Sequence, residues 1–137
     1  MNTSNSASRI GTRNKLSILW IVVMFNMAFA DILTFITPGA LQEIMTGYAG
    51  KLQVTQGILL AFAVLLEIPI AMIFLSRVLK YQTNRIVNIV ACAVTIVFVI
   101  GGGSAHLHYI FFSTVEVACM LLIAWNAIKW PRTNKET

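Results

Sequence analysis

Residues Leu16 to Ile36 read LSILWIVVMFNMAFADILTFI, about 21 residues in which the only formal charge is Asp31. At 1.5 Å per residue, a helix of that length crosses a hydrocarbon core of roughly 30 Å. Lys15 precedes the run and Pro38-Gly39 ends it. Three further apolar runs follow, and the spans read as about 16–37, 54–75, 86–105 and 109–128. The expected fold class is all-α, an integral membrane bundle of four helices.

Composition agrees with that reading. Of 137 residues, 58% are hydrophobic and 11% charged, with a mean hydropathy of +0.79. Soluble domains sit near roughly 45–50% apolar and about 25% charged. A chain this short has too little interior to hide so much apolar surface from water. The basic tail and Ala28-Phe29-Ala30 imitate a secretory signal peptide, but the apolar run continues to Ile36, which favours a retained span.

The net charge is +5. No basic stripe interleaved with aromatics supports nucleic-acid binding; the cations cluster beside apolar runs, as orientation signals do. Nine of the ten Lys and Arg fall in the N-terminal segment, around the Ser76–Asn84 loop or in the C-terminal segment, and only Lys51 lies on the other side. The positive-inside rule then predicts both termini in the cytoplasm. Residues 1–14 and 132–137 read as polar tails around a domain of residues 15–131. Between the first two spans, Leu41, Ile44, Met45 and Tyr48 among polar residues predict a short amphipathic segment at the interface, closed by Gly47 and Gly50. Trp20, Tyr48, Tyr81, Tyr109 and Trp130 fall near span ends, where interfacial aromatics gather.

Three acids lie inside the spans: Asp31, Glu67 and Glu116. A carboxylate within the bilayer needs a partner, a proton or water, because exposing it to hydrocarbon costs at least about 2.5 kcal/mol on insertion scales. Asp31 and Glu116 fall about 10 Å from the outer end of their spans, and Glu67 about 20 Å. Helical spacing groups Gln56, Ala63, Glu67 and Ala71 on one face, and Asn88, Cys92, Thr95, Gly102 and His106 on another. In the first span Asn26 shares the half of the helix that carries Asp31 and Thr34.

With these faces inward, Asp31, Glu116 and His106 or His108 line an outward-facing cavity, and Glu67 forms its floor beside the bend at Pro69. No Lys or Arg lies at membrane depth, so the carboxyls must be protonated, hydrogen-bonded or neutralised by a bound cation. The candidate ligand set is therefore Asp31, Glu67 and Glu116, with Asn26 and Gln56, and His106-Leu107-His108 adds a weak metal-ligand pattern. The alternative for each acid is hydrogen-bonded glue between helices. Cys92 and Cys119 lie in apolar runs without a CxxC pair, which argues for packing. Neither HExxH nor a Ser-His-acid order is present, and the Gly101-Gly102-Gly103 run lacks the GxxxxGK context of a phosphate loop, pointing instead to close packing or a helix break.

From Lys15 to Arg132 the chain resembles an uncharacterised family of small four-helix bacterial membrane proteins. The resemblance rests on FADILTF (Phe29–Phe35), LLEIP (Leu65–Pro69) and STVEVA (Ser113–Ala118), and implies a bacterial inner-membrane location without a known activity. In layout the chain is also similar to DoxX-like proteins and to the EXPERA group of sterol isomerases and the sigma-2 receptor. In the latter, early-helix acids face an amine or carbocation, so Asp31 and Glu67 invite comparison.

The functional expectation is a small multi-pass protein that binds or moves a cation or proton, with Glu67 as the gating site and Asp31 and Glu116 as an outer ring. Conduction through so small a bundle implies a homo-oligomer. One alternative is a binding protein or intramembrane enzyme for a lipid- or sterol-like ligand, using Asp31 and Glu67 with walls of Phe29, Phe62, Met72 and Phe112. Another is a structural subunit whose acids pair with a partner's cations.

Overall fold

The computed structural model describes residues 10–131; residues 1–9 of the expected N-terminal tail and the whole expected C-terminal tail, 132–137, lie outside the described residues. Its elements in chain order are α1 (Thr12–Ile36), α2 (Ala40–Met45), β1 (Tyr48–Ala49), β2 (Leu52–Gln53), α3 (Gln56–Val78), α4 (Tyr81–Gly101) and α5 (Leu107–Ile128). The four long helices are each long and apolar enough to cross a membrane, which makes the chain a multi-pass membrane protein. In lipid every backbone N–H and C=O must bond internally, and helices meet that demand.

The helices outrun the expected spans because they continue past the apolar core. α1 begins at Thr12, inside the expected N-terminal tail, and α4 begins at Tyr81 rather than Ile86. α1 ends before Pro38, with Thr37 extended (ψ 131°), the conformation a following proline imposes. Thr55 caps α3, its Oγ1 accepting from the Ile58 N–H at 3.3 Å. α4 stops at Gly101, four residues short of Ala105. A Cβ on Gly103 would lie 3.0 Å from the Ile100 carbonyl oxygen. A side chain there would press on that carbonyl, so the tight return favours glycine.

Each long helix packs on two others: α1 on α3 and α5, and α4 on α3 and α5. The diagonal α1–α4 is spanned by side chains. Trp20 is fully buried and its Nε1 donates to Asn88 Oδ1 at 2.8 Å, whereas its position near a span end predicts an interfacial ring. Asn88 in turn donates through Nδ2 to the Asn84 carbonyl (2.9 Å) and Asn84 Oδ1 (2.6 Å). Ser76 Oγ donates to Asn88 Oδ1 (3.2 Å), and Asn84 Nδ2 to the Ser76 carbonyl (2.7 Å). Ser17 Oγ donates to the Ile73 carbonyl at 2.7 Å and accepts from Arg77 Nε at 3.0 Å. A satisfied polar network of this kind joins α1, α3 and α4 near the end of the bundle that carries the termini.

At that same end Arg85 and Tyr81 close α5. Arg85 Nε donates to the Ala127 carbonyl (2.8 Å) and Tyr81 OH to the Trp130 carbonyl (2.7 Å), satisfying oxygens a helix C-terminus leaves free. At the opposite end, the stretch expected to form a short amphipathic segment holds α2 and the hairpin β1–β2. Tyr48 pairs with Gln53 and Ala49 with Leu52. Gly47 and Gly50 do close it, in the left-handed region (φ 88° and 62°), and Glu43 Oε1 accepts from the Gly50 N–H at 2.9 Å.

Candidate functional site

Among the described residues, Glu116 is the one acid the fold buries. Its side chain is 3% exposed and has no hydrogen-bond partner among the described residues. It continues the buried face of α5 through Met120, Ile123 and Ala127, so it points at the bundle interior. The spacing 116, 120, 123, 127 is that of one helix face.

Asp31 is exposed, yet it does not point outward. It lies eleven residues after Trp20, a rotation within about 20° of three whole turns, so it shares the heading of a residue in the core. What changes is the cover. Near the hairpin end the first half of α3, Gln56 to Val64, is almost wholly exposed, and the bundle opens there. Asp31 and Glu116 are close enough for their charges to act on each other, and Tyr109 feels both. These three groups form a cluster toward the hairpin end of the bundle, with Glu116 its most buried member.

Glu67 is not part of it. The buried face of α3 is Pro69, Met72 and Ser76. Glu67 is two residues from Pro69, a rotation of about 200°, and is exposed on the opposite side with Gln56 and Ala63. The expected polar stripe Gln56–Ala63–Glu67 therefore exists, but it turns away from the bundle. Hydrophobicity could not reveal this, because α3 is apolar on nearly every side. Gln56 sits at the first turn of α3, removed from Asp31 and Glu116 by that orientation. Asn26 is half-buried and its Nδ2 donates to the Val22 carbonyl of its own helix at 2.8 Å.

The histidines stack on each other, ring centroids 5.4 Å apart. His106 Nδ1 lies 2.7 Å from Ser104 Oγ, and His108 Nε2 lies 3.3 Å from Thr34 Oγ1. Among the described residues no group of three or more His, Cys, Asp or Glu gathers as a metal would require. His108 instead ties α5 to α1 at the rim. His106 leaves the expected stripe of Asn88 and Cys92 because α4 has already ended at the glycines. Tyr109 seats over that break, its OH donating to the Val99 carbonyl at 2.9 Å.

One functional candidate comes from a residue with no charge. Thr95 is 2% exposed and its Oγ1 has no hydrogen-bond partner. Its place in the stripe with Asn88 and Cys92 was the available signal. The walls expected for a hydrophobic ligand do not converge: Met72 is in the core, Phe62 meets Phe98, and Phe29 stacks on Phe25. A separate cleft of about 400 Å³, lined by residues including Val99, Ile100, Tyr109, Ser113 and Thr114, opens beside the glycine break.

No curated protein and no solved structure matches the chain. The family profile that does match covers residues 9–137, almost the whole length, and the chain belongs to the family of unknown function DUF6326.

Proposed function

We propose that this protein binds or moves a cation or proton through the cluster of Asp31, Tyr109 and Glu116, with Glu116 as the working carboxyl. One observation carries the reading: Glu116 is buried at 3% exposure with no protein partner and a second carboxyl nearby. A structural acid in a membrane is expected to spend its hydrogen bonds on neighbouring helices. Glu116 does not, and no Lys or Arg stands at its depth to neutralise it. A carboxyl left in that state exchanges a proton or a cation.

The topology supplies direction. The cation distribution favours both termini in the cytoplasm, so the cluster lies toward the outer side of the membrane, with the hairpin and α2 at the interface; a bacterial inner membrane fits that arrangement. Inward passage is closed by Trp20 and its bonds to the Asn88 network. Movement through the bundle therefore requires Trp20 to swing or the network to part. Glu67 supports assembly: an acid near mid-span on the lipid-facing side of α3 is costly, and a contact between copies of this chain removes it from hydrocarbon.

The test is uptake of protons and alkali cations into liposomes holding the purified protein. Flux that falls to background in Glu116→Gln supports the reading, and wild-type flux in that variant overturns it. A second reading, a lipid-like ligand with a polar head, is favoured by the cleft beside Tyr109 and Ser113. It predicts a stoichiometric lipid retained by the protein in native mass spectrometry and lost in Ser113→Trp.

A further inference from the structure

Helix register sets three oxygen groups at about one level of the bundle. Cys92 Sγ donates to the Met120 carbonyl at 3.4 Å, which fixes the antiparallel register of α4 and α5. One turn from that contact toward the hairpin end brings Thr95 and Glu116 to the same height. Each occupies the middle of its helix's buried face: Thr95 between Ala91 and Val99, Glu116 next to Met120 and Ile123. Both therefore point at the bundle axis.

The third oxygen is a backbone carbonyl. Phe62 and Phe98 touch, with ring centroids 5.7 Å apart, and three residues on along each antiparallel helix stand Leu65 and Thr95. Pro69 has no N–H for the Leu65 carbonyl, which is left without its helical donor. Leu65 lies seven residues before Met72 and so on the same inward face, within about 20°.

Thr95 behaves unlike Thr34, Thr37 and Thr114. Those three each return a hydroxyl bond to their own helix, to Ala30, Leu33 and Ile110 carbonyls at 2.8, 3.1 and 2.7 Å. Thr95 makes no such bond, although leaving a buried hydroxyl without a partner is costly. An orphaned hydroxyl level with an unpartnered carboxyl is a site waiting for a ligand that both can bind.

We propose that Glu116, Thr95 Oγ1 and the Leu65 carbonyl form a binding site for one dehydrated alkali cation. Hard oxygen donors select hard cations, and freed backbone carbonyls of interrupted helices coordinate Na⁺ in membrane transporters. Charge balance sets the valence: one carboxylate with two neutral oxygens neutralises a single positive charge, and Asp31 stands outside, toward the mouth. This rests on the reading of the Glu116 cluster as a cation or proton site, and narrows it.

The experiment is thermal unfolding of the full-length protein in nanodiscs, in LiCl, NaCl or KCl against choline chloride at equal ionic strength. The expected result is a saturable rise in Tm with at least one alkali cation. Thr95→Val should weaken its apparent affinity at least tenfold, Glu116→Gln should abolish it, and Thr95→Ser should retain it. An identical Tm in all four salts overturns the proposal, as does an undiminished response in both Thr95→Val and Glu116→Gln. If a variant fails to fold, equilibrium binding of radioactive sodium or rubidium to the wild type decides: one ion per chain supports the site, and none for either overturns it. Proton flux that depends on Glu116 in a protein indifferent to all three cations leaves that reading of the cluster standing while this proposal falls.

Discussion

Asn88 holds its neighbours on three helices through both ends of one amide, as acceptor for Trp20 and Ser76 and donor to Asn84. Removing it strands several buried polar groups at once, which costs more than a single net bond. Asn88→Leu should destabilise the protein by about 2–3 kcal/mol in reversible unfolding in mixed micelles. Asn26→Leu should shift it by less than about 0.5 kcal/mol, because that amide bonds only to its own helix. Equal effects of the two would contradict the network's role. Trp20 shows what was hard to read at this scale. Tryptophan near a span end usually marks an interface, and only the need of Asn88 for a partner in lipid pointed to a buried ring. The inward heading of Glu116 was legible because an acid stands out in any apolar run. Thr95 was visible in its stripe but gave no sign that its hydroxyl would stay unpaired, since threonines in helices commonly bond back to their own carbonyls.

At the scale of elements, the helices announce themselves through hydropathy, while their rotation does not. α5 places Glu116 inward as its spacing suggests, but α3 is apolar on most sides and its inward face is set by Pro69, Met72 and Ser76. A helix immersed in lipid lacks the polar-versus-apolar contrast that orients a soluble helix, so the stripe holding Glu67 could be found without knowing which way it turned. The end of α4 belongs to this scale too. A Cβ on Gly103 meets the Ile100 carbonyl at 3.0 Å, and one on Gly101 meets nothing within 4 Å. Gly103→Ala should therefore lower stability by about 1 kcal/mol and disturb Tyr109, whereas Gly101→Ala should be neutral or stabilise by up to about 1 kcal/mol. Unfolding midpoints of the two variants check this, and a harmless Gly103→Ala would show that the break does not depend on the close approach.

For the whole molecule, a polar network joins three helices at the end where α1 begins, and the first half of α3 lies exposed at the end with the hairpin. Its four spans were readable from composition and run length alone. The hairpin was not, because two-residue strands carry no periodicity, although Gly47 and Gly50 marked its corners. Glu67 on the outward side of α3 leads to a prediction about assembly. Cross-linking in native membranes should trap a homo-oligomer through cysteines placed at Ala63 or Phe74, on the same exposed side of α3. Cysteines at Leu121, on the exposed side of α5, should trap none, and a monomer under all conditions would remove Glu67 from any contact between copies.

Whether Glu116 works as a carboxyl that takes up and releases a proton or cation is decided by infrared difference spectroscopy. Carboxyl bands of the reconstituted wild type would be followed as pH is stepped through neutrality and as alkali cations are exchanged for choline, with Glu116→Gln, Asp31→Asn and Glu67→Gln to assign them. A working Glu116 should give a band that responds to pH or cation and disappears in Glu116→Gln. A Glu116 band that stays fixed under every condition would identify a structural acid and rule out the proposed role.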